Sequence, residues 1–267
     1  MNNFQSKNQF AFGINKAIFY SITAVFAMQI FGGIIQIPAF YYPKLNHIAI
    51  PLGFFVGIVL AIGLLLAMLK TRIKPILNDL KTKISATEFI LAVFIWIGFL
   101  PLGEYLTSLI PTTGALEVLY RYFVANFELF LNYKIAAFIT VCVLAPIFEE
   151  ILFRGIILKG MLNYNVNPTT AILVSGFIFG AAHLNPWQFV GAGLLGSIFG
   201  FIYYRTKSLI LPIILHALNN FLSFTYILKN ETTEENIFDV TNLFSIITYT
   251  LLAVTLSFIL YQITKNK

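Results

Sequence analysis

Long apolar runs, broken by short polar segments, fill the chain from Ala17 almost to its end. A bilayer-crossing helix needs about 20 mostly apolar residues. Eight segments meet or approach that length: Ala17–Ile37, Ile48–Leu69, Glu88–Ile110, Ile135–Leu158, Pro168–His183, Phe189–Tyr204, Ser208–Leu228 and Leu243–Ile263. The fifth and sixth are short, and only Leu184 to Gln188 separates them, which predicts a tight helical hairpin. The pattern therefore predicts an all-α polytopic membrane protein of about eight transmembrane helices. The first run is long enough to span and has no small-residue cleavage site after it, so it reads as a retained helix. Glu88 and Glu104 near the ends of the third span, and the mixed stretch Glu117 to Lys134, suit segments lying partly in the membrane interface.

Composition agrees with the pattern. The chain of 267 residues is 58% hydrophobic and 10% charged, against about 25% charged in soluble domains. That deficit leaves too few polar residues for a water-facing shell. The spans leave no room for a separate soluble domain, so residues 1–267 read as one membrane domain. The single cysteine, Cys142, excludes an internal disulfide and a cysteine metal cluster. It sits in an apolar run and reads as a packing residue.

The net charge of +6 does not point to nucleic acid, because the basic residues lie between the spans. Lys7 and Lys16 precede the first; Lys70, Arg72, Lys74, Lys81 and Lys83 follow the second; Arg205 and Lys207 follow the sixth; Lys265 and Lys267 follow the last. With eight spans, all of these fall on one side, and the acidic "LKNETTEEN" falls on the other. Cytoplasmic loops are enriched in Lys and Arg, so both termini are expected in the cytoplasm.

Ionisable residues within the spans concentrate in the second half of the chain. The fourth span holds Glu149, Glu150 and Arg154; the fifth, His183; the seventh, His216 with Asn220. His47 falls in a loop. Glu150 and Arg154 are i and i+4 on a helix and can pair. Glu149 points about 100° away from Glu150, so one glutamate can be tied up while its neighbour faces elsewhere. His216 and Asn220 share the i, i+4 spacing, as do Phe179 and His183, where the phenyl ring can wall one side of the imidazole.

Each feature has a plain structural reading. A histidine or asparagine can be an interhelical hydrogen bonder, and Glu150–Arg154 a structural ion pair. The small-residue run Gly191 to Gly200 suits close helix packing. Taken together, the groups fit a hydrolytic site. A carboxylate and a histidine can activate a water, and a second histidine and an amide can donate to an oxyanion. There is no serine elbow and no H-E-x-x-H zinc signature. Two histidines and a glutamate still leave metal hydrolysis open, with Glu149, His183 and His216 as the ligands and zinc as the metal.

Three motifs stand in order on separate predicted helices: "EEILFR" (Glu149 to Arg154), "FGAAH" (Phe179 to His183) and "HALNN" (His216 to Asn220). In these the chain resembles the CAAX protease and bacteriocin-processing (CPBP, or Abi) family of intramembrane proteases, relatives of the Rce1-type prenyl protease, whose pattern is EExxxR, FxxxH and HxxxN. The motif region, about residues 135–228, covers roughly a third of the chain. The resemblance implies an eight-helix intramembrane endopeptidase of the glutamate type. Glu149 would activate the attacking water with help from His183, and His216 and Asn220 would stabilise the oxyanion. Glu150 and Arg154 would be supporting groups. Eukaryotic relatives cut prenylated proteins, so the expected substrate is a membrane-associated protein or peptide, prenylation included. Richness in Asn, Lys and Ile suggests a bacterial plasma membrane.

Two other function classes remain: a proton relay or transporter, in which Glu and His chains carry protons, and a non-catalytic immunity or scaffold protein on the same fold. Depth also tests the site. At about 1.5 Å per residue, Glu149 lies about 21 Å below Ile135 and His183 about 23 Å above Pro168. In a core about 30 Å thick they would miss by about 14 Å. They meet only if the fifth helix starts outside the core, with Asn167 as N-cap and Pro168 at N1, or if the fourth starts above it or tilts.

Overall fold

A computed structural model describes residues 10–230, 237–265 and 267. Lys7 and most of the acidic stretch (residues 231–236) lie outside the described residues. The described chain is helical: α1 Ile14–Tyr41, α2 Asn46–Met68, α3 Ala86–Ser108, α4 Glu117–Leu131, α5 Lys134–Asn163, α6 Pro168–Ala181, α7 Pro186–Thr206, α8 Ile210–Asn230 and α9 Leu243–Ile263. Seven of these are long and apolar enough to cross a membrane, and α6 is a shorter apolar helix. With α6 they correspond to the eight expected spans. Large apolar side chains such as Phe26, Phe40, Phe244 and Phe258 stand on the outside, as lipid-facing surfaces require.

Lipid tails are as apolar as leucine, so helices in a bilayer associate through close packing of small residues. Gly57 of α2 shows this against α1, where a Cβ would come within 2.5 Å of the Met28 carbonyl oxygen. The expected hairpin forms from α6 and α7. A Cβ on Gly176 would lie 2.1 Å from Ser197 Oγ, and one on Gly180 would lie 2.4 Å from the Phe189 carbonyl oxygen. The run Gly191–Gly200 is thus a packing surface.

One end of the bundle gathers the basic segments. Lys159 Nζ lies 2.7 Å from Asp79 Oδ2, which also accepts from Tyr203 Oη at 2.6 Å. The Leu209 N–H donates to the Asp79 carbonyl, and Thr82 Oγ1 donates to the Lys207 carbonyl. Arg205 reaches Thr264 Oγ1 and the Tyr261 carbonyl at the end of α9, and Lys267 pairs with Glu88. The N-terminal segment joins them, with the Phe12 N–H donating to Gly160 O. Segments around residues 16, 70–83, 205–207 and 265–267 therefore share an end.

At the opposite end, Tyr133 Oη donates to the Pro43 carbonyl and His47 meets the Tyr133 ring edge-on. The stretch expected at the interface forms α4, whose Tyr120 and Phe123 pack on Trp187 at the start of α7.

Candidate active site

The helix α5 carries both glutamates and is not a plain α-helix. Residues Ile139–Leu144 and Ile151–Leu158 adopt π geometry on either side of an α turn at Ala145–Glu150. In the first π stretch the Ala145 N–H donates to Thr140 O, five residues back. The next residue is Pro146, which has no N–H to continue that register. Single π turns inside α-helices re-aim side chains and recur at functional sites.

Glu150 faces the protein and is fully buried. Its Oε1 accepts from Arg154 Nη1 at 2.6 Å and lies 2.9 Å from His216 Nδ1 on α8. Arg154, also fully buried, donates its other Nη to the Gly196 carbonyl on α7 at 2.8 Å. Its guanidinium stacks 4.7 Å over the Phe179 ring and 5.8 Å from that of Phe199. An ion pair away from water persists only when geometry and further hydrogen bonds offset desolvation; His216 and Gly196 supply such bonds and two ring faces meet the cation, while Glu150 Oε2 and Arg154 Nε have no hydrogen-bond partner.

Glu149 faces a cavity of about 60 Å³ that His183 and Phe179 also line, with Ala24, Val25 and Ile58 of α1 and α2. That is room for more than one water, which needs about 10–15 Å³ of such free space. Glu149 Oε2 lies 3.9 Å from His216 Nε2. His183 sits two residues beyond the end of α6 rather than inside the helix, as the span Pro168–His183 had suggested. The chain turns there because Leu184 takes a left-handed φ of 58° and Asn185 caps α7. His183 Nδ1 lies 3.0 Å from the Phe179 carbonyl. A carbonyl only accepts, so Nδ1 carries a proton there. The same argument places a proton on His216 Nδ1, facing the Glu150 carboxylate.

The structure thus brings Glu149, Glu150, Arg154, Phe179, His183 and His216 together, and the depth mismatch closes. Asn167 is the N-cap of α6 and Pro168 its first residue. The π turns, with more residues per turn, also shorten the descent from Lys134 to Glu149. Asn220 lies one turn beyond His216 and donates its amide to the Val141 carbonyl at 2.8 Å. His47, at the far end, takes no part.

Sequence reasoning missed four residues. Phe199 flanks Arg154 and His216. Gly196 supplies the carbonyl for Arg154. Trp96 donates Nε1 to Asn219 Oδ1 at 3.2 Å, tying α3 to α8 beside the site. Pro146 interrupts α5, and a proline inside an otherwise continuous span was the one signal available for it.

As for a metal, no three His, Cys, Asp or Glu side chains among the described residues are grouped to hold an ion.

An all-helical bundle of membrane-spanning length, enclosing carboxylates and imidazoles from three helices, defines a polytopic membrane protein with a buried acid–base site. Residues 131–222, which carry that site, match the model described as type II CAAX prenyl endopeptidase Rce1-like. Among curated proteins, "Putative membrane peptidase YdiL" of Bacillus subtilis (strain 168) is 38% identical over 78 residues, covering 29% of this chain. The match covers 32% of that relative, about a third of its length. No solved structure matches the chain.

Proposed function

We propose that this protein is an intramembrane endopeptidase that hydrolyses peptide bonds with a water activated by Glu149. The observation that carries the reading is the division of labour between adjacent glutamates. Glu150 is consumed by Arg154 and His216, while Glu149 opens onto a water-sized cavity shared with His183. The match of residues 131–222 to a model of CAAX prenyl endopeptidases and the similarity to a protein called a putative membrane peptidase support it.

In this mechanism a water in the cavity gives one hydrogen bond to Glu149 and the other to the free Nε2 of His183. As its oxygen attacks the scissile carbonyl carbon, Glu149 takes the proton. Charge develops on the carbonyl oxygen, and protonated His216 Nε2 donates to it. Collapse breaks the C–N bond, and Glu149 returns the proton to the leaving amine. With His216 protonated, two carboxylates face an arginine and an imidazolium, so the cluster is neutral.

The substrate reaches the site from the lipid side. A cleft of about 710 Å³ lies between α1 and α6, lined by apolar residues including Ile18, Phe26 and Phe177, and it shares Val25 and Ala182 with the site cavity. It suits a membrane-associated protein or peptide with an apolar or prenylated portion. The shared end of the basic segments supports cytoplasmic termini by the positive-inside rule, and the reading is of a protein of a bacterial plasma membrane.

The test is a survey of new protein termini in membranes of cells making the wild type or Glu149→Ala at matched levels. Termini found only with the wild type establish proteolysis and name the substrate. Identical termini, with the variant folded and still complementing a deletion, would instead indicate a scaffold. pH-driven flux through the purified protein would indicate a proton relay.

A further inference from the structure

The carbonyl of Val141 is the next acceptor in the π register that places the Ala145 N–H on Thr140 O. Its partner five residues on is Pro146, a nitrogen without hydrogen. A carbonyl left open away from water costs about as much as a lost hydrogen bond, and Val141 is half-buried among apolar helices. Asn220 Nδ2 fills the vacancy from α8 at 2.8 Å. The side chain is itself braced: Asn219 Nδ2 reaches Asn220 Oδ1 at 3.5 Å, and Asn219 Oδ1 accepts from Trp96 Nε1 on α3. One turn away on α8, His216 holds Glu150. The His216–Asn220 pair therefore grips α5 on both sides of Pro146, and Glu149 lies between the two grips.

We propose that Asn220 is a positioning residue that supplies the hydrogen-bond donor Pro146 lacks, and so holds the π turn that aims Glu149 into the cavity. Pro146 and Asn220 form a matched pair. The proline opens the backbone register, and the asparagine locks it in one geometry. This differs from a donor acting on the oxyanion, the role the family resemblance gives Asn220. The effect on catalysis rests on the peptidase reading; the effect on helix geometry does not.

The matched pair predicts rescue. Asn220→Ala frees the Val141 carbonyl and loosens the π turn. Pro146→Ala restores an N–H in α5 that can take the place of the Asn220 amide. Cys142, buried beside Val141 and the single cysteine in the chain, reports on that turn without any substrate. The experiment compares wild type, Asn220→Ala, Asn220→Asp, Pro146→Ala and Pro146→Ala/Asn220→Ala, purified in detergent. It measures maleimide labelling of Cys142 and the pH–rate profile of peptide hydrolysis.

Both Asn220 variants should label about tenfold faster or more, the scale of leaving one half-buried carbonyl without its donor. Their hydrolysis should slow by at least as much, with a displaced pH profile. The double variant should recover labelling, rate and profile to within about threefold of wild type. Wild-type labelling in the double variant with hydrolysis as slow as in Asn220→Ala and an unmoved profile would overturn the proposal in favour of direct action on the substrate. Labelling as fast in the double variant as in the single would also overturn it. If no form hydrolyses peptide but labelling follows the predicted pattern, the positioning role stands and the peptidase reading falls.

Discussion

His216 Nδ1 lies 2.9 Å from Oε1 of Glu150, the same oxygen that Arg154 holds at 2.6 Å. This contact orients the imidazole so that Nε2 faces Glu149, 3.9 Å away. One buried carboxylate thus sets the aim of the histidine that faces its neighbour, and the two adjacent glutamates are not interchangeable.

Glu149→Gln keeps the shape of the side chain and removes the base. Turnover should fall by about 10²–10⁴-fold, the usual worth of a general base. The unfolding midpoint should move little, because the Glu149 carboxylate meets His216 Nε2 at 3.9 Å rather than in a close pair like that of Glu150. Peptide cleavage assays alongside thermal unfolding in detergent check this; a variant retaining most of its turnover would remove Glu149 from the mechanism.

Arg154→Met should behave differently. It leaves Glu150 charged in the interior without its main partner, a change that typically costs about 3–5 kcal/mol. Adding Glu150→Gln removes the orphaned charge and should recover part of that stability, though not activity, since His216 loses its anchor. Denaturant unfolding of the single and double variants measures the difference.

The α6–α7 hairpin should reject added bulk on its packed glycines. Gly176→Ala places a Cβ against Ser197 and the Gly193 carbonyl oxygen, and overpacking of this kind costs about 1–3 kcal/mol. Because α6 leads directly into His183, activity should fall more than stability. Gly63→Ala, where nothing lies within 4 Å, is the control expected to match wild type on both counts.

Stability should also depend on pH through Lys207, in the turn between α7 and α8. Burial, and next the Arg205 charge, pull its pKa down to about 7 against a small opposing pull from Asp79. Between about pH 7 and its ordinary value of 10.5, the unfolded chain binds a proton there that the folded one lacks. Stability should therefore rise with pH across that window. In Lys207→Met the rise should shrink, as followed by unfolding midpoints from pH 6.5 to 10.

Much of this was legible in the sequence because the bilayer makes local rules strict. A run of apolar residues must become a helix, so the spans are visible by length, and Glu150–Arg154 follows from i, i+4 spacing alone. The placement of His183 was less legible. Whether a helix stops at Ala181 or runs on to His183 depends on the left-handed turn at Leu184, which no periodicity marks. In "HALNN" two adjacent asparagines look alike, yet Asn219 turns to Trp96 and Asn220 to Val141. The π turns of α5 were hidden because a helix with a different hydrogen-bond register has the same apolar composition.

The order of residues alone marks a helical membrane protein, the ionisable residues within it, and the pairs that share a helix face. These follow from hydropathy and the 3.6-residue repeat, which are properties of single segments. Which glutamate is held by Arg154 and which faces the cavity, where that cavity lies, and what satisfies the carbonyl that Pro146 leaves open emerge only once the helices are assembled. Those are settled by partners from other helices, such as His216, Gly196 and Asn220, and no spacing within one segment specifies how another will pack against it.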